Sequence, residues 1–398
     1  LYLYDLEKGR LLATGSERNP QAVFGADVIS RLEKALAGEG EALAASIRGG
    51  IARLLGESCA QAAVEREAVK ALVLTGNTAM LYLLCGQNPA SIAAAPFRQD
   101  RYFGEFLPAS ALGMPLAEGA RIYLPRCMSA YVGGDITTAL MAAGFDRKLE
   151  IAASEPELLV DIGTNGEMAL AAGGRLLCCS TAAGPAFEGA GIYQGMNAME
   201  GAVSRVALAD GEIRCEVIGG GEAKGLCGSG IVDAVAVMVK AGILDETGLI
   251  NEEGHAFEAY ITEEDDQPAF RLPGTGVILT QQDIRAVQLA KSAVCAGMLT
   301  LMGEAGMKPE DIGRLTIAGG FGAFIDANAA ETIGLIPPGF AAKAVAVGNA
   351  AGTGASMTLL SEEIRRRSEA LARRAETVEL STSPRFMEYY VENMLFGG

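Results

Sequence analysis

The stretch from residue 158 to residue 191 constrains the fold of this chain more than any other. Within it, two apolar runs, Leu158–Ile162 and Met168–Leu170, flank a short turn at 163–166 that contains an Asn-Gly pair. An Asn-Gly pair between apolar runs is the strongest local signal for a β-hairpin. The sequence therefore predicts a hairpin here.

Asp161 makes this hairpin chemically unusual, because it places a carboxylate inside an apolar run. A buried carboxylate is costly unless it is paired or binds a metal ion. Glycines beside it let a phosphate group approach the backbone N–H groups closely. The residues favour a turn that holds Mg²⁺ and phosphate. An ordinary hairpin with an aspartate at its turn is the alternative, and it is the commoner one for a single match.

Size and composition indicate a large globular protein. The 398 residues exceed one typical core, so two lobes are expected. Half of the residues are hydrophobic and 20% are charged, as in compact proteins. The 49 acidic and 32 basic residues give a net charge of −17, which argues against nucleic acid or an anionic membrane as a partner.

No membrane span, signal peptide or metal-binding cysteine cluster is expected. The longest apolar stretch, 231–244, is interrupted by Asp233 and Lys240. The eight cysteines are scattered, and His255 is the single histidine, so a zinc site, an iron–sulfur site or Cys-His catalysis within this chain is not expected. Reduced thiols fit a cytoplasmic location best.

The order of predicted elements repeats along the chain. A hairpin, helices and two strand–glycine loop–helix units occur in each half, which predicts a duplicated α/β protein. The expected lobes are residues 1–148 and 149–398, with insertions at 86–120 and 243–276.

Two helix starts are predicted from capping residues in the second half. Ser229 is expected to N-cap a helix that runs to Lys240. Thr280 and Asp283 resemble a capping box that opens a long helix reaching about Glu304.

Four glycine loops are candidates for one ligand site, since ligands bind at the carboxyl ends of strands in such sheets. The turn 161–166 would hold phosphate and Mg²⁺, and 225–230 opens a helix whose N-terminus can bind an anion. The loop 318–322 can press its backbone against a flat ring or ribose, and 348–354 is a candidate hinge. None matches a P-loop or a G-x-G-x-x-G motif, and turn chemistry explains each one taken alone. Their common order favours a nucleotide site.

This order and these residues resemble the superfamily of sugar kinases, actin and heat-shock chaperone ATPases. The resemblance is closest to the ATPase part of reductive activators of corrinoid proteins, an iron–sulfur-associated family, and it extends over nearly the whole chain. It is carried by Asn19-Pro-Gln, Gly25–Arg31, Gly76–Met80, Ala95-Pro-Phe97, Val160–Glu167, Ser180–Gly189, Gly225–Gly230, Thr280–Arg285, Gln288–Lys291, Ala318–Gly322 and Gly348–Gly352. It implies a fold of duplicated ribonuclease-H-like, actin-like lobes around a central cleft.

On the phosphate side, the resemblance implies that Asp161 reaches Mg²⁺ through water and acts in catalysis. The turn residues Gly163, Thr164, Asn165 and Gly166 would form the second phosphate hairpin. Gly228 and Ser229, at the start of a helix, are further candidates for binding the nucleotide.

On the adenosine side, the resemblance implies that Gly319, Gly320, Phe321 and Gly322 form the adenosine loop. The helix that bears Gln288 and Lys291 resembles the one that borders adenine in the chaperone ATPases.

Asp135 opens the first connecting helix and, by the same resemblance, would orient the water that attacks the γ-phosphate. A simple N-cap at a helix start is the alternative, with about equal weight.

The family's first phosphate hairpin, Asp-x-Gly-Thr-Thr, is expected on a strand before Leu1. The first lobe is therefore expected to lack its first strand, and with it half of the triphosphate grip. Family members also carry an iron–sulfur domain that is not found in these residues.

The resemblance implies a function in which ATP and Mg²⁺ drive the reduction of a cobalt(II) corrinoid protein to cobalt(I). The electron would come from a 2Fe–2S cluster on a domain outside this chain. The implied partner is a corrinoid protein of a methyltransferase system in anaerobic one-carbon metabolism, and a homodimer is expected. Two alternatives remain open: a small-molecule kinase of the same superfamily, and a non-catalytic module for dimerisation or docking.

Overall fold

The computed structural model describes residues 1–25, 27–151, 154–320 and 322–397, except for the side chain of Ala323. Strands and helices alternate along the first 150 residues, as the apolar periodicity predicts. In chain order they are β1 (Tyr2–Asp5), β2 (Arg10–Thr14), α1 (Val28–Lys34), α2 (Gly40–Ala62), β3 (Ala71–Val73), α3 (Thr78–Cys85), α4 (Ala90–Ala93), β4 (Glu105–Pro108), β5 (Arg121–Leu124), α5 (Gly134–Ala142) and α6 (Phe145–Lys148).

The remaining residues begin with a run of strands. In chain order the elements are β6 (Glu157–Ile162), β7 (Gly166–Ala172), β8 (Arg175–Thr181), β9 (Ala202–Ala209), β10 (Glu212–Val217), β11 (Gly225–Leu226), α7 (Gly228–Lys240), β12 (Ile261–Glu264), β13 (Gln267–Arg271), β14 (Ile278–Thr280), α8 (Gln281–Glu304), β15 (Arg314–Ala318), α9 (Ala327–Thr332), β16 (Ala344–Gly348), α10 (Ala350–Leu360), α11 (Glu362–Arg374), β17 (Ala375–Thr377) and α12 (Pro384–Glu392).

The chain forms two compact units, and each is made of two separate segments. The first unit comprises Leu1–Glu150 and Ala350–Thr377, and the second comprises Ile151–Asn349 and Val378–Gly398. The lobe boundary at residue 148 stays a prediction from the sequence. In the structure, α10 and α11 pack with the first 150 residues.

In the first unit, β1 and β2 form an antiparallel hairpin. A separate sheet has the order β3–β5–β4, with β3 parallel and β4 antiparallel to β5. Helix α10 crosses α5 closely: a Cβ atom on Gly354 would overlap the carbonyl group of Thr138. Glycine at this position is therefore what lets the two helix backbones approach each other.

In the second unit, the central sheet has the order β16–β15–β6–β7–β8. Strands β6, β7 and β8 are consecutive antiparallel neighbours, and β15 and β16 add in parallel on the other side of β6. Every residue of β7 is buried, because protein covers both faces of the sheet. The arrangement agrees with the ribonuclease-H-like lobe expected for this half.

Helix α8 is the central helix of the second unit and confirms the predicted capping box. Thr280 Oγ1 accepts from the Asp283 N–H, and the Asp283 carboxylate accepts from the Thr280 N–H. Among the described residues it is the one helix long and apolar enough to cross a membrane, yet 78% of its apolar window is buried inside the protein. It packs on β7 and β8 as a core helix.

Candidate functional site

Two loops of the second unit meet where β6 and β15 end. Asp161 pairs with Ala318 in the parallel register of these strands, so the residues that follow them leave the sheet at the same edge. Gly319 has φ +97°, and a Cβ atom on it would lie 2.7 Å from Asp161 Oδ1. Only glycine fits this backbone without strain. The hairpin turn and the glycine loop predicted from the sequence thus lie side by side.

The predicted hairpin is confirmed, with Ile162 paired to Gly166 and a turn of three residues between them. The Gly163 N–H donates to the Asn165 carbonyl at 3.1 Å. The N–H and hydroxyl groups of Thr164 both donate to Glu188 Oε1, at 2.7 and 2.9 Å. The two Thr164 donors are therefore bound to a carboxylate, which is an anion.

Asp161 presents a carboxyl group to the pocket beside this turn. Among the described residues no hydrogen-bond donor or cation pairs with it, and its removal from water raises the pKa to about 6. The described residues contain no group of three or more His, Cys, Asp or Glu side chains placed to hold a metal ion. The donor set fits Mg²⁺, which is commonly bound by one or two carboxylates, water and the phosphates of a substrate.

The start of α7 forms another wall of the same pocket, through Cys227, Gly228 and Ser229. The prediction that Ser229 caps this helix is wrong. Cys227 is the N-cap, its side chain makes no capping bond, and the Ser229 hydroxyl donates instead to the Ser204 carbonyl at 2.9 Å. The first N–H groups of a helix have no partner within the helix, so this end can receive an anion.

The pocket has a volume of about 960 Å³, in the range of small-molecule sites. Both polar and apolar side chains line it. The aliphatic, aromatic and thioether ones are Ile162, Phe187, Met196, Ala198, Ile218, Phe324 and Ile325. The charged and hydroxyl ones are Asp161, Glu188, Ser204, Arg205 and Ser229. An apolar wall with a few polar groups suits a ligand with a flat ring and a charged end.

Arg205 is the one basic residue among those that line this pocket in the described part of the chain. Its guanidinium lies 3.5 Å from Asp233 and 3.7 Å from Asp326, and 44% of the side chain is exposed. Burial raises the pKa of the Asp233 carboxyl to about 6. The two carboxylates hold the guanidinium at the pocket.

Comparison with known proteins decides the family. Residues 155–397 match the family described as the C-terminal domain of RACo, the ASKHA domain, and residues 1–148 match the RACo middle region. This chain belongs to the RACo family. The predicted resemblance to reductive activators of corrinoid proteins and the predicted actin-like fold are confirmed.

Relatives of this RACo-family chain carry matching names. It is 35% identical to the corrinoid activation enzyme RamQ of Eubacterium limosum, over all of this chain and 68% of RamQ. It is 28% identical to a Co(II) methylated amine-specific corrinoid protein reductase of Methanosarcina barkeri, over 72% of this chain and 55% of that protein. A solved structure named reductive activator for corrinoid, iron-sulfur protein matches with a TM-score of 0.89 and 34% identity, over 99% of this chain and 64% of that one.

The RACo-family pocket includes several, but not all, of the residues predicted from the sequence. Asp161, Gly163, Gly228, Ser229, Gly319 and Gly320 line it. Gly166 and Gly322 are packing positions, because a Cβ atom would lie 3.1 Å from Thr181 and 2.8 Å from Ile317. Phe321 lies outside the described residues.

Gln288 and Lys291 are placed elsewhere, on a face of α8 that binds the segment after α12. Both side chains are fully buried. Gln288 Nε2 donates to the Met394 carbonyl at 2.8 Å, and Lys291 Nζ donates to the Asn393 carbonyl at 2.6 Å and to the Leu395 carbonyl. Neither residue is among those that line the pocket.

Asp135 lies in the first unit as the second residue of α5. The N-cap is Gly133, so the simple N-cap interpretation is wrong. Asp135 Oδ1 accepts from the Ile136 N–H at 2.8 Å, and the Asp135 N–H donates to the Gly76 carbonyl at 3.2 Å. Its predicted role in orienting water stays a prediction.

Sequence reasoning missed Glu188 and Arg205 as site residues. Glu188 stands in the segment 180–189, which carries part of the family resemblance, but nothing in that segment indicates that its side chain reaches Thr164. Arg205 lies on β9, where one charged residue in a strand ordinarily faces water. A buried partner such as Asp233 was the available signal, since an aspartate inside an apolar helix needs a cation or a donor.

Proposed function

We propose that this chain binds ATP with Mg²⁺ in the pocket of its second unit and couples ATP binding and hydrolysis to the reductive activation of a cobalt(II) corrinoid protein. One observation carries the proposal: the Asp161 carboxyl, which has no donor or cation partner among the described residues, lines one pocket of about 960 Å³ together with Gly163 of the hairpin turn and the Gly319–Gly320 loop. That pocket lies in the ASKHA region of a RACo-family chain.

The walls of the pocket, and Thr164 in the turn beside it, have proposed roles. The Thr164 donors and the first N–H groups of α7 would bind phosphate oxygens, as helix starts and glycine turns do. Gly319 and Gly320 leave the backbone open to the ribose and adenine. Asp161 would hold Mg²⁺ through water. The metal ion, when bound, neutralises charge on the phosphates.

In hydrolysis, water attacks the γ-phosphorus and the bond to the β-phosphate oxygen breaks, which gives ADP and inorganic phosphate. The protein contributes position and electrostatics more than covalent chemistry in such reactions. Asp135 is the proposed residue that orients the attacking water. The electron for cobalt would come from a 2Fe–2S cluster on a domain outside this chain, and we propose a cytoplasmic homodimer as the working form.

Calorimetric titration with MgATP tests the nucleotide half. We expect saturable binding with one site per chain. Ala198→Trp, which places a large ring in the pocket lining, should abolish it, whereas Ala207→Trp at an exposed position on β9 should not. Absence of nucleotide binding in the parent chain would contradict the proposal.

The corrinoid half is tested with a cobalt(II) corrinoid protein and a chemical reductant, with cobalt(I) followed by its absorption spectrum. We expect cobalt(I) to form faster when the chain and MgATP are both present. ATP turnover that requires only a small alcohol or acid, with no effect on cobalt, would instead identify a small-molecule kinase.

A further inference from the structure

The hairpin turn that would bind phosphate already binds an anion of the protein itself. Glu188 Oε1 accepts from the backbone N–H of Thr164 at 2.7 Å and from its hydroxyl at 2.9 Å. Both are within the range of good hydrogen bonds, and bonds to an ionised acceptor are stronger than neutral ones. A Cβ atom on Gly163 would lie 3.4 Å from the same oxygen, so the carboxylate lies over the turn.

The backbone that carries Glu188 is fixed, whereas its side chain is exposed. Ala186 and Phe187 just before it are buried. Gly189 just after it has φ +80°, and a Cβ atom there would lie 2.7 Å from the Met196 nitrogen. A change of side-chain rotamer is therefore sufficient to free the Thr164 donors, with no movement of the chain.

Thr164 cannot serve both anions at once. Its backbone N–H has one hydrogen, and a phosphate oxygen placed there would meet the carboxylate at a distance where two negative charges repel. The binding of a phosphate at this turn therefore has to include the departure of Glu188.

We propose that Glu188 is a specificity-determining residue that stands in for a phosphate at Thr164 and is displaced by the phosphate of the nucleotide. The inference rests on the proposed function, since it assigns a phosphate to this turn. Glu188 then sets the affinity for the phosphate groups of the ligand and leaves the affinity for the nucleoside unchanged. The affinity of ligands without phosphate does not change when the Glu188 side chain leaves Thr164.

Calorimetric titration of the full chain with adenosine, ADP, ATP and tripolyphosphate, with Mg²⁺ present, tests the inference. Glu188→Gln removes the charge and keeps the size, so we expect about tenfold tighter binding of the three phosphate ligands, equal to about 1.4 kcal/mol. Adenosine binding should not change. Glu222→Gln removes the same charge from an exposed residue outside the pocket lining and should leave all four affinities unchanged.

Glu188→Asp separates local contact from net charge. It keeps the charge but shortens the side chain by one methylene group, which breaks its reach to Thr164, so it should also tighten phosphate binding. Equal ATP binding in Glu188→Gln would overturn the inference, because Glu188 would then not affect phosphate binding. Weaker binding of ATP or of adenosine would also overturn it, because Glu188 would then contribute to binding the ligand.

The two proposals fail in different ways. If tripolyphosphate binds more tightly to Glu188→Gln than to the parent chain but adenine nucleotides bind to neither, the proposed ATP function fails and the role of Glu188 stands. If nucleotides bind and Glu188→Gln has no effect, the role of Glu188 fails and the ATP function stands. If no phosphate ligand binds to any variant, both fail.

Discussion

Asp161 shows at the residue scale how a site can cost stability. Its carboxyl lies at the end of a core strand with no donor or cation beside it in the described part of the chain, and its pKa is raised to about 6. A raised carboxyl pKa means that the charged form is less stable in the folded protein than in the unfolded chain. A metal ion and phosphates would supply the missing partners.

Asp161→Asn is expected to stabilise the free protein and to remove the stabilisation by MgATP. At pH 7 the variant should gain about 1–3 kcal/mol, since one unit of pKa corresponds to about 1.4 kcal/mol. The gain should shrink as pH falls from 6 towards 3.8, because the folded carboxyl then binds a proton and its penalty is relieved. Urea unfolding at pH 7 and pH 5, with and without MgATP, measures both effects. A variant that MgATP still stabilises as fully as the parent would refute the role of Asp161.

Gly319 and Gly320 give a matched pair of substitutions to alanine in one loop. At Gly319 the positive φ and the contacts 2.7 Å from Asp161 Oδ1 and 2.9 Å from the Ile162 carbonyl predict a loss of about 1–3 kcal/mol in the free energy of unfolding. A Cβ atom on Gly320 has nothing within 4 Å, so a change within about 0.5 kcal/mol is expected there. Chemical denaturation of the two variants tests the pair, and equal losses would show that the close approach to Asp161 does not matter.

Two roles that depend on neighbours in the chain could be predicted from the sequence, although the local N-cap prediction at Ser229 is wrong, whereas roles that depend on distant partners could not. The Asn-Gly turn and the Thr280–Asp283 capping box depend on neighbours in the chain, and both are confirmed. Glu188 is 24 positions from Thr164, and only the folded loop brings them together. Asp161 is an intermediate case. The sequence indicates its carboxylate chemistry, but its close contact with Gly319 depends on the pairing of β6 with β15.

At the scale of elements, the placement of α8 beside adenine rests on the family resemblance, and the apolar pattern of the helix offers no independent check of it. Buried residues occur all around this helix, so its apolar pattern does not distinguish a face that lines a ligand pocket from one that packs against protein. Gln288 and Lys291 lie on a face that holds the segment after α12. Their polar groups donate to main-chain carbonyls of that segment.

Lys291→Met should release the segment after α12 from α8. The variant keeps the length of the side chain but leaves the Asn393 and Leu395 carbonyls without a donor, at a cost of about 1–3 kcal/mol. Hydrogen exchange in residues 386–396 should quicken, while Lys240→Met, at an exposed position, should leave it unchanged.

The difference in stability between the parent chain and Lys291→Met should depend on pH. Burial lowers the pKa of Lys291 to about 8, so below pH 8 the cost of its buried charge offsets part of what its hydrogen bonds contribute. That cost is lost as pH rises from 8 to 10.5, and the parent should gain stability relative to the Met variant across this window. Unchanged exchange in Lys291→Met would show that the segment is held by its apolar contacts.

Gly354 tests the crossing of α5 and α10. Glycine to alanine inside a helix ordinarily stabilises by about 0.5–1 kcal/mol. At Gly354 we expect a loss of about 1–3 kcal/mol instead, because the added carbon overlaps the Thr138 carbonyl. Gly49→Ala in α2 meets only an arginine nitrogen at 3.9 Å and should show the ordinary gain. Thermal unfolding of both variants gives opposite signs if the close crossing is real.

At the scale of the whole molecule, the border between the matched family regions differs from the border between compact units. The ASKHA match covers 155–397, yet α10 and α11 within it pack with the first 150 residues. The order of elements in the sequence predicts a single domain boundary. The packing of residues 350–377 with the first unit is a tertiary contact, which no local sequence pattern predicts.

A fragment of residues 155–397 should therefore fold only in part. We expect α10 and α11 to lose hydrogen-exchange protection, because α5 is missing, while α8 and β6 stay protected. Addition of residues 1–150 as a second chain should restore protection in 350–374. Full protection of α10 in the fragment alone would contradict the division into these units.

The return of residues 350–377 also sets an order of events during synthesis. A ribosome releases residues 1–150 long before α10 and α11 exist, and domains tend to fold as they emerge. The face of α5 that receives Gly354 stays bare until about 200 further residues have been translated, since the second unit contributes 151–349 in between. The nascent chain thus carries an unfinished first unit while the second unit is being made, and during that interval the bare face of α5 is open to chaperones.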